Sequence, residues 1–180
     1  MIFRPLILPG AFEIQPEPRG DERGFFARIF CDREFADHGL NTRWAQINIS
    51  FSRSAGTLRG LHFQRPPAAE VKLVRCLRGR ALDVIVDLRA NSETYGKHLM
   101  LELNPSSGNA IYVPKGFAHG FQTLEPDTEL QYFHSDPYQP DLEGGVDPLD
   151  PALAIAWPRP PRNLSARDRA LPPFDKLVPL

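Results

Sequence analysis

From Val71 the chain alternates apolar and polar positions over two β-branched runs, VKLVRCLRG and RALDVIVDLR, separated near Gly79. A period of two sends successive side chains to opposite faces of a strand. The second run therefore puts Leu82, Val84, Val86 and Leu88 on one face and Ala81, Asp83, Ile85 and Asp87 on the other. One face is apolar, the other carries two carboxylates, and the two runs read as strands joined by a hairpin or tight turn at Gly79. HLMLELN (98–104), AIYVPKG (110–116), GFQTLE (120–125) and ELQYFHS (129–135) repeat the rhythm every ten residues or so, as the strands of a sandwich or barrel do.

Helical periodicity is scarce. DREFADHG (32–39) is its best instance, with Asp32 as cap, Phe35 and Ala36 facing inward and Gly39 as the stop, and it predicts about two turns. Punctuating residues are abundant, 19 Pro and 13 Gly in 180 residues, which suits many short strands joined by turns. After Pro137 the composition shifts to Pro and acidic residues, so the remainder is expected to wrap a barrel as loops and short helical turns. The whole pattern predicts one mostly-β domain over residues 1–180.

Composition narrows the class. Hydrophobic residues are 42% and charged residues 24%, ordinary for a soluble globular domain, and no apolar run approaches the roughly 18 residues of a spanning helix. The opening MIFRPLILPG carries one basic residue, and Pro5 and Pro9 break its apolar stretch; it makes a poor signal peptide. A cytoplasmic protein without a membrane partner is expected. Lys plus Arg is 21 against 22 for Asp plus Glu, so no overall field favours nucleic acid, although a local basic groove for a small phosphate ligand is invisible in such a sum. Cys31 and Cys76 show no CxxC spacing and read as buried small hydrophobes.

Four segments carry groups capable of chemistry. TLRGLHFQ brings Arg59 and His62 together at the start of a strand. In VKLV, alternation turns Lys72 away from Val71 and Leu73, leaving a desolvated cation if that face lines a cavity. Gly116 and Gly120 bracket His119 in PKGFAHGF, which predicts it between two strands, and ELQYFHS places Tyr132 and His134 on one face with Gln131 and Phe133 on the other. Each has a plainer reading, a strand His as a hydrogen-bonded core residue and a strand Tyr as a packing residue. Positions 60 and 64 around His62 are Gly60 and Gln64, and His38, His98 and His134 restore neither HxH nor HExxH spacing, so no metal site is expected. GxGxxG, GxxxxGK[ST] and GxSxG are absent too. Acid/base chemistry by His, Tyr, Lys and carboxylates remains, a set suited to abstracting a proton beside a carbonyl.

DERGFF (21–26), TLRGLHFQ (57–64), KLVRCLRG (72–79), DVIVDLR (83–89), PKGFAHGFQTL (114–124) and LSARD (164–168) together resemble the dTDP-4-dehydrorhamnose 3,5-epimerases, in the family's order and over nearly the whole chain. The resemblance implies a cupin jelly-roll barrel with short peripheral helices. It further implies a cytoplasmic homodimer without metal or cofactor, an isomerase that inverts C3 and C5 of a nucleotide-linked 4-keto-6-deoxy sugar through enolates in L-rhamnose biosynthesis. By the same resemblance His62 is the general base, Tyr132 the acid on the opposite face, Lys72 the cation near the C4 oxygen and Asp168 the carboxylate paired with the base. Asp83, on the polar face of its strand, is a rival for that last role. Arg23 and Arg59 match diphosphate contacts, His119 a contact to sugar or phosphate, Gln46 and Asn48 polar ligand contacts, and Tyr138 the aromatic that stacks on the base. Phe26, Glu143 and Arg167 match further binding positions.

Three departures from the family pattern bear on substrate. Ala27 and Arg28 stand where a glutamate commonly reads the thymine ring, QINISFS (46–52) replaces QDNHSRS, and Glu70, Val71 and Lys72 replace QGK. They leave open a sister epimerase that inverts one centre or takes a CDP- or GDP-linked sugar. A non-catalytic sugar-nucleotide-binding cupin is the alternative from another class, and a metal-dependent cupin a third.

Overall fold

Short strands with one apolar face hide it by packing two sheets together, and the computed structural model, which describes residues 1–180, has this form. Strands β1 (Ile2–Pro5), β2 (Phe12–Gln15), β3 (Arg19–Asp21) and β4 (Gly24–Phe26) precede helix α1 (Asp32–Asp37). Then come β5 (Gln46–Ser52), β6 (Leu58–Gln64), β7 (Lys72–Arg78), β8 (Ala81–Asp87) and β9 (His98–Leu103). The series closes with β10 (Ala110–Val113), β11 (Phe117–Thr123), β12 (Thr128–His134) and β13 (Glu143–Gly145). One sheet runs β1-β2-β10-β7-β12-β5, the facing one β13-β6-β11-β8-β9, and β3-β4 is a separate hairpin. The result is the mostly-β cupin jelly roll the sequence suggests.

Two sheets make three apolar layers. Val74 and Cys76 of β7, Ile111 and Val113 of β10 and Leu130 of β12 meet Ala81 and Ile85 of β8 and Phe117 and Phe121 of β11 between the sheets. Behind the five-stranded sheet, Val84, Val86 and Leu88 pack under Val146, Leu153 and Leu177. The apolar face of β8 is thus covered by the C-terminal segment, while its carboxylate face looks into the sandwich. That segment wraps the sheet with 3-10 turns at Pro140–Leu142, Asp168–Ala170 and Phe174–Lys176, but it is not only loops and turns, since β13 pairs with β6 at the sheet's edge. Behind the six-stranded sheet, Phe35 of α1 plugs a layer with Leu73, Tyr112 and Phe133.

Local expectations need correction. β7 and β8 do not form a hairpin, because β7 pairs with β10 and β12 and β8 with β11 and β9. Gly79, at φ 73°, instead carries the chain from one sheet to the other, and a Cβ there would lie 2.5 Å from Thr128 Oγ1. In α1 the N-cap position is Cys31, without a side-chain cap, and Asp32 is the first helical residue. Phe35 is buried but Ala36 is exposed, since six residues present only a narrow inner face. Cys76 is buried as expected; Cys31, at the outer end of the helix, is only half-buried. No helix is long and apolar enough to cross a membrane.

Candidate active site

The strands around the open end of the sandwich carry their polar residues inward, leaving a cavity of about 290 Å³. The five-stranded wall supplies Arg59, His62 and His119; the six-stranded wall supplies Gln46, Asn48, Ser50, Lys72, Tyr132 and His134. The two histidines are direct partners in the β6–β11 ladder, so His119 lies within a strand and not between two, the strand running on through Gly120. This ladder is unusually close at its glycines. A Cβ on Gly60, which has φ 115°, would lie 2.6 Å from the Gly120 Cα, and one on Gly120 would lie 2.6 Å from the Arg59 carbonyl. The register shifts between His119 and Phe121, so small residues and an irregular ladder set both imidazoles on one wall.

Each imidazole has its own carboxylate. His62 Nε2 lies 2.7 Å from Asp168 Oδ1, and His119 Nε2 lies 2.8 Å from Asp83 Oδ2. The C-terminal segment positions Asp168, whose backbone N–H donates to Ser165 Oγ at 2.9 Å. A carboxylate on one ring nitrogen fixes the tautomer and leaves the other nitrogen free to take a proton. Burial holds the His62 pKa below its ordinary value, the Asp168 bond opposing only in part and Lys72 adding to the lowering. Burial pushes Asp83 the other way, upward against the attraction of His119, and its Oδ1 has no partner. Asp83 therefore belongs to His119, and Asp168 alone orients His62.

Across the cavity, the Tyr132 hydroxyl lies 3.2 Å from Ser50 Oγ. Burial raises its pKa strongly, so the phenol stays protonated at neutral pH and is a donor. Its ring meets His119 edge-on at 6.0 Å and stacks with His134 at 6.0 Å. Lys72 Nζ stands 3.3 Å from Glu70 Oε1 and 3.4 Å from the His62 carbonyl.

At the mouth, Tyr138 donates its hydroxyl to Glu143 Oε2 at 2.6 Å and its backbone N–H to Gln46 Oε1 at 2.9 Å. Arg167 pairs with the other oxygen of Glu143. Arg59 donates to the Phe51 carbonyl at 2.9 Å. These residues form a polar rim with an exposed aromatic face. Arg23 and Phe26 stand apart from the cavity on the β3–β4 hairpin, where Arg23 pairs with Asp21 at 2.6 Å and Phe26 is exposed. Arg28, the departure beside that hairpin, pairs with Glu34 at 2.7 Å.

Glu70 and Ser50 also face the cavity; both stand in blocks that depart from the family pattern, and neither was expected to serve the site. Alternation alone could have found them: Glu70 precedes Lys72 by two, and Ser50 follows Asn48 by two. No three His, Cys, Asp or Glu side chains converge as a metal-holding group, because each cavity histidine is turned to a carboxylate of its own.

An imidazole–carboxylate pair on one wall and a protonated phenol on the other, with an ammonium on the phenol's wall, is an arrangement able to take a proton from one face of a carbon and return one to the other. Comparisons with known proteins agree with this chemistry. The family described as dTDP-4-dehydrorhamnose 3,5-epimerase matches residues 5–176. The dTDP-4-dehydrorhamnose 3,5-epimerase of Sinorhizobium fredii is 41% identical over 178 residues, 98% of this chain and 91% of that one. The dTDP-4-dehydrorhamnose 3-epimerase of Streptomyces niveus is 43% identical over 170 residues, 94% and 82% of the two chains. The crystal structure of dTDP-4-dehydrorhamnose 3,5-epimerase from Elizabethkingia anophelis superposes with a TM-score of 0.94 at 41% identity, covering 97% of each chain.

Proposed function

We propose that this chain, which belongs to the dTDP-4-dehydrorhamnose 3,5-epimerase family, is an isomerase that inverts C3 and C5 of dTDP-4-keto-6-deoxy-D-glucose on the way to dTDP-L-rhamnose. One observation carries the reading: the His62–Asp168 pair and the Tyr132 hydroxyl belong to facing walls of one cavity, with Lys72 beside them.

The C4 carbonyl acidifies the hydrogens on both neighbouring carbons, so one site serves two centres. Neutral His62 takes the proton from C3, the C–H electron pair becomes the enolate π bond, and the C4 oxygen takes the negative charge. Lys72 stabilises that oxyanion, and Asp168 stabilises the imidazolium as it forms. Tyr132 then gives its proton to C3 from the opposite face; the imidazolium releases its proton to solvent and the phenolate takes one up, which restores neutral His62 and the Tyr132 phenol. Repetition at C5 completes the second inversion.

Arg59 and His119 hold the diphosphate side of the ligand by charge and hydrogen bonding. Gln46, Asn48, Tyr138, Glu143 and Arg167 hold the nucleoside end, with Tyr138 stacking on the base. Arg23 and Phe26 reach a site only from a neighbouring copy. The proposal therefore includes a homodimer, supported by the edge strand β5, on which Ile47, Ile49 and Phe51 are all exposed. Two unpaired cysteines suit the reducing cytoplasm.

Proton NMR of the purified protein with dTDP-4-keto-6-deoxy-D-glucose in deuterated water tests the reading. Loss of both the C3 and the C5 signals is expected. Loss of one signal, or loss only from a CDP-linked analogue, moves the assignment to a sister enzyme. That second reading is favoured by the likeness to the Streptomyces niveus 3-epimerase and by Arg28, which is paired with Glu34. Binding without exchange leaves a sugar-nucleotide-binding module.

A further inference from the structure

Lys72 is a nearly buried ammonium, and both of its protein contacts are long, 3.3 Å to Glu70 Oε1 and 3.4 Å to the His62 carbonyl. An ammonium on a flexible four-carbon stem has three donors and no preferred direction of its own. Whatever fixes it sets where its charge acts.

Two features of the backbone bring the fixing groups together. Glu70 precedes Lys72 by two residues, a spacing that turns both side chains to one face of an extended chain. His134 is the direct partner of Lys72 in the β7–β12 ladder. The third edge of the triangle is the bond between His134 Nδ1 and Glu70 Oε2, at 2.7 Å. A carboxylate only accepts, so Nδ1 carries the hydrogen. The backbone beside Glu70 is pinned as well: Val71 N–H donates to Ser135 Oγ at 2.8 Å, and Ser135 N–H to the Val71 carbonyl at 3.0 Å.

The arrangement is costly unless it serves geometry. Burial disfavours the Glu70 carboxylate, yet the His134 bond and the Lys72 charge outweigh it and hold its pKa below the ordinary value. An ionised Glu70 also weakens the field that Lys72 exerts on an oxyanion. What it supplies in return is direction, since both its oxygens are used, one on a ring held by the ladder and one on the ammonium.

We propose that Glu70, itself fixed by His134, is the positioning residue for Lys72, and that the chain His134–Glu70–Lys72 aims the ammonium at the C4 oxygen of the substrate. The inference rests on the reading of Lys72 as the cation that stabilises the enolate. Misplacement of a reacting group by about 1 Å can cost up to about 100-fold in rate, so the loss falls on kcat and leaves substrate binding almost untouched.

The test is a double-mutant cycle on the full chain, following C3 hydrogen exchange of dTDP-4-keto-6-deoxy-D-glucose in deuterated water. Glu70→Ala lowers kcat about 10-fold or more while KM stays within about 3-fold. Glu70→Gln recovers most of that kcat, because its amide oxygen still accepts from Lys72 and its amide nitrogen donates to the other tautomer of His134. In a Lys72→Ala background, Glu70→Ala costs nothing further, since no ammonium is left to aim. Should Glu70→Ala fail to fold, Glu70→Asp keeps the charge but shortens the reach by one methylene, and it too lowers kcat.

An unchanged kcat in the Ala or Asp variant, or the same loss with and without Lys72, overturns the positioning role. A parent chain that exchanges neither hydrogen of the dTDP-linked sugar or of its CDP-linked analogue overturns the epimerase reading and this inference with it. A parent that exchanges beside a Glu70 variant that matches it overturns the inference alone.

Discussion

His62 and His119 face each other across one ladder, yet their carboxylates separate their work. His62 meets Asp168 near the cavity surface, whereas His119 meets an Asp83 that burial pushes toward the neutral form. Replacing His62 with Ala should abolish exchange at C3 and C5 while leaving nucleotide binding measurable by calorimetry; substantial residual exchange would remove it from the role of base. Only the neutral imidazole accepts a proton, and burial holds the His62 pKa down. The acid limb of kcat/KM is therefore expected below the ordinary imidazole value of about 6.5. Asp168 raises that pKa, so Asp168→Asn moves the limb further toward acid and lowers kcat by about 10² to 10⁴. A limb at or above neutral pH in the parent would contradict the assignment. Tyr132→Phe should slow completed inversion more than hydrogen exchange, because enolate formation does not use the phenol; equal losses, read by NMR on one sample, would count against Tyr132 as the acid.

At the scale of the element, the β6–β11 ladder makes the histidine wall possible. Gly60 and Gly120 touch backbone to backbone, and neither position has room for a Cβ. Gly120→Ala should lower stability by about 1–3 kcal/mol in urea unfolding, and it should slow exchange as well, since the strand must move away from His62. An unaltered midpoint would mean that the close approach is not tight in solution. β5 shows the opposite economy. Its alternation, QINISFS, is legible in the sequence, but the apolar positions stay in water while Gln46, Asn48 and Ser50 line the cavity. Alternation marks a strand without saying which face meets the core.

That inverted strand matters most for the whole molecule. An edge strand with three large exposed apolar side chains is a surface for association, and the β3–β4 hairpin with Phe25 and Phe26 adds a second. The parent chain should sediment at twice its 20.3 kDa, and Ile47→Asp with Phe51→Asp should shift it to the monomer. A parent that sediments as a monomer would sink the dimer and, with it, the delivery of Arg23 to a neighbouring site.

Much of this protein is written locally. Period-two patterning and frequent Pro and Gly specify strands and turns, so β7, β8, β9 and β12 are legible within a residue or two. The histidines, the lysine and the tyrosine stand in blocks that the family resemblance singles out, and alternation gives each its phase on its own strand. What the sequence leaves open is every relation between strands. Gly79 marks a turn, but whether β8 folds back on β7 or crosses to the other sheet depends on distant partners, Thr123 for Ala81 and His134 for Lys72 among them. The family resemblance points to Asp168 as the partner of His62, but strand alternation by itself keeps Asp83 as a rival. Only packing brings the C-terminal segment over the five-stranded sheet, sets Asp168 against His62 and buries Asp83 under His119. The sequence determined the phase of each strand because a side chain's direction follows from its own backbone. The tertiary structure decided the pairings because a hydrogen bond between residues 62 and 168 forms only once the sheets have closed.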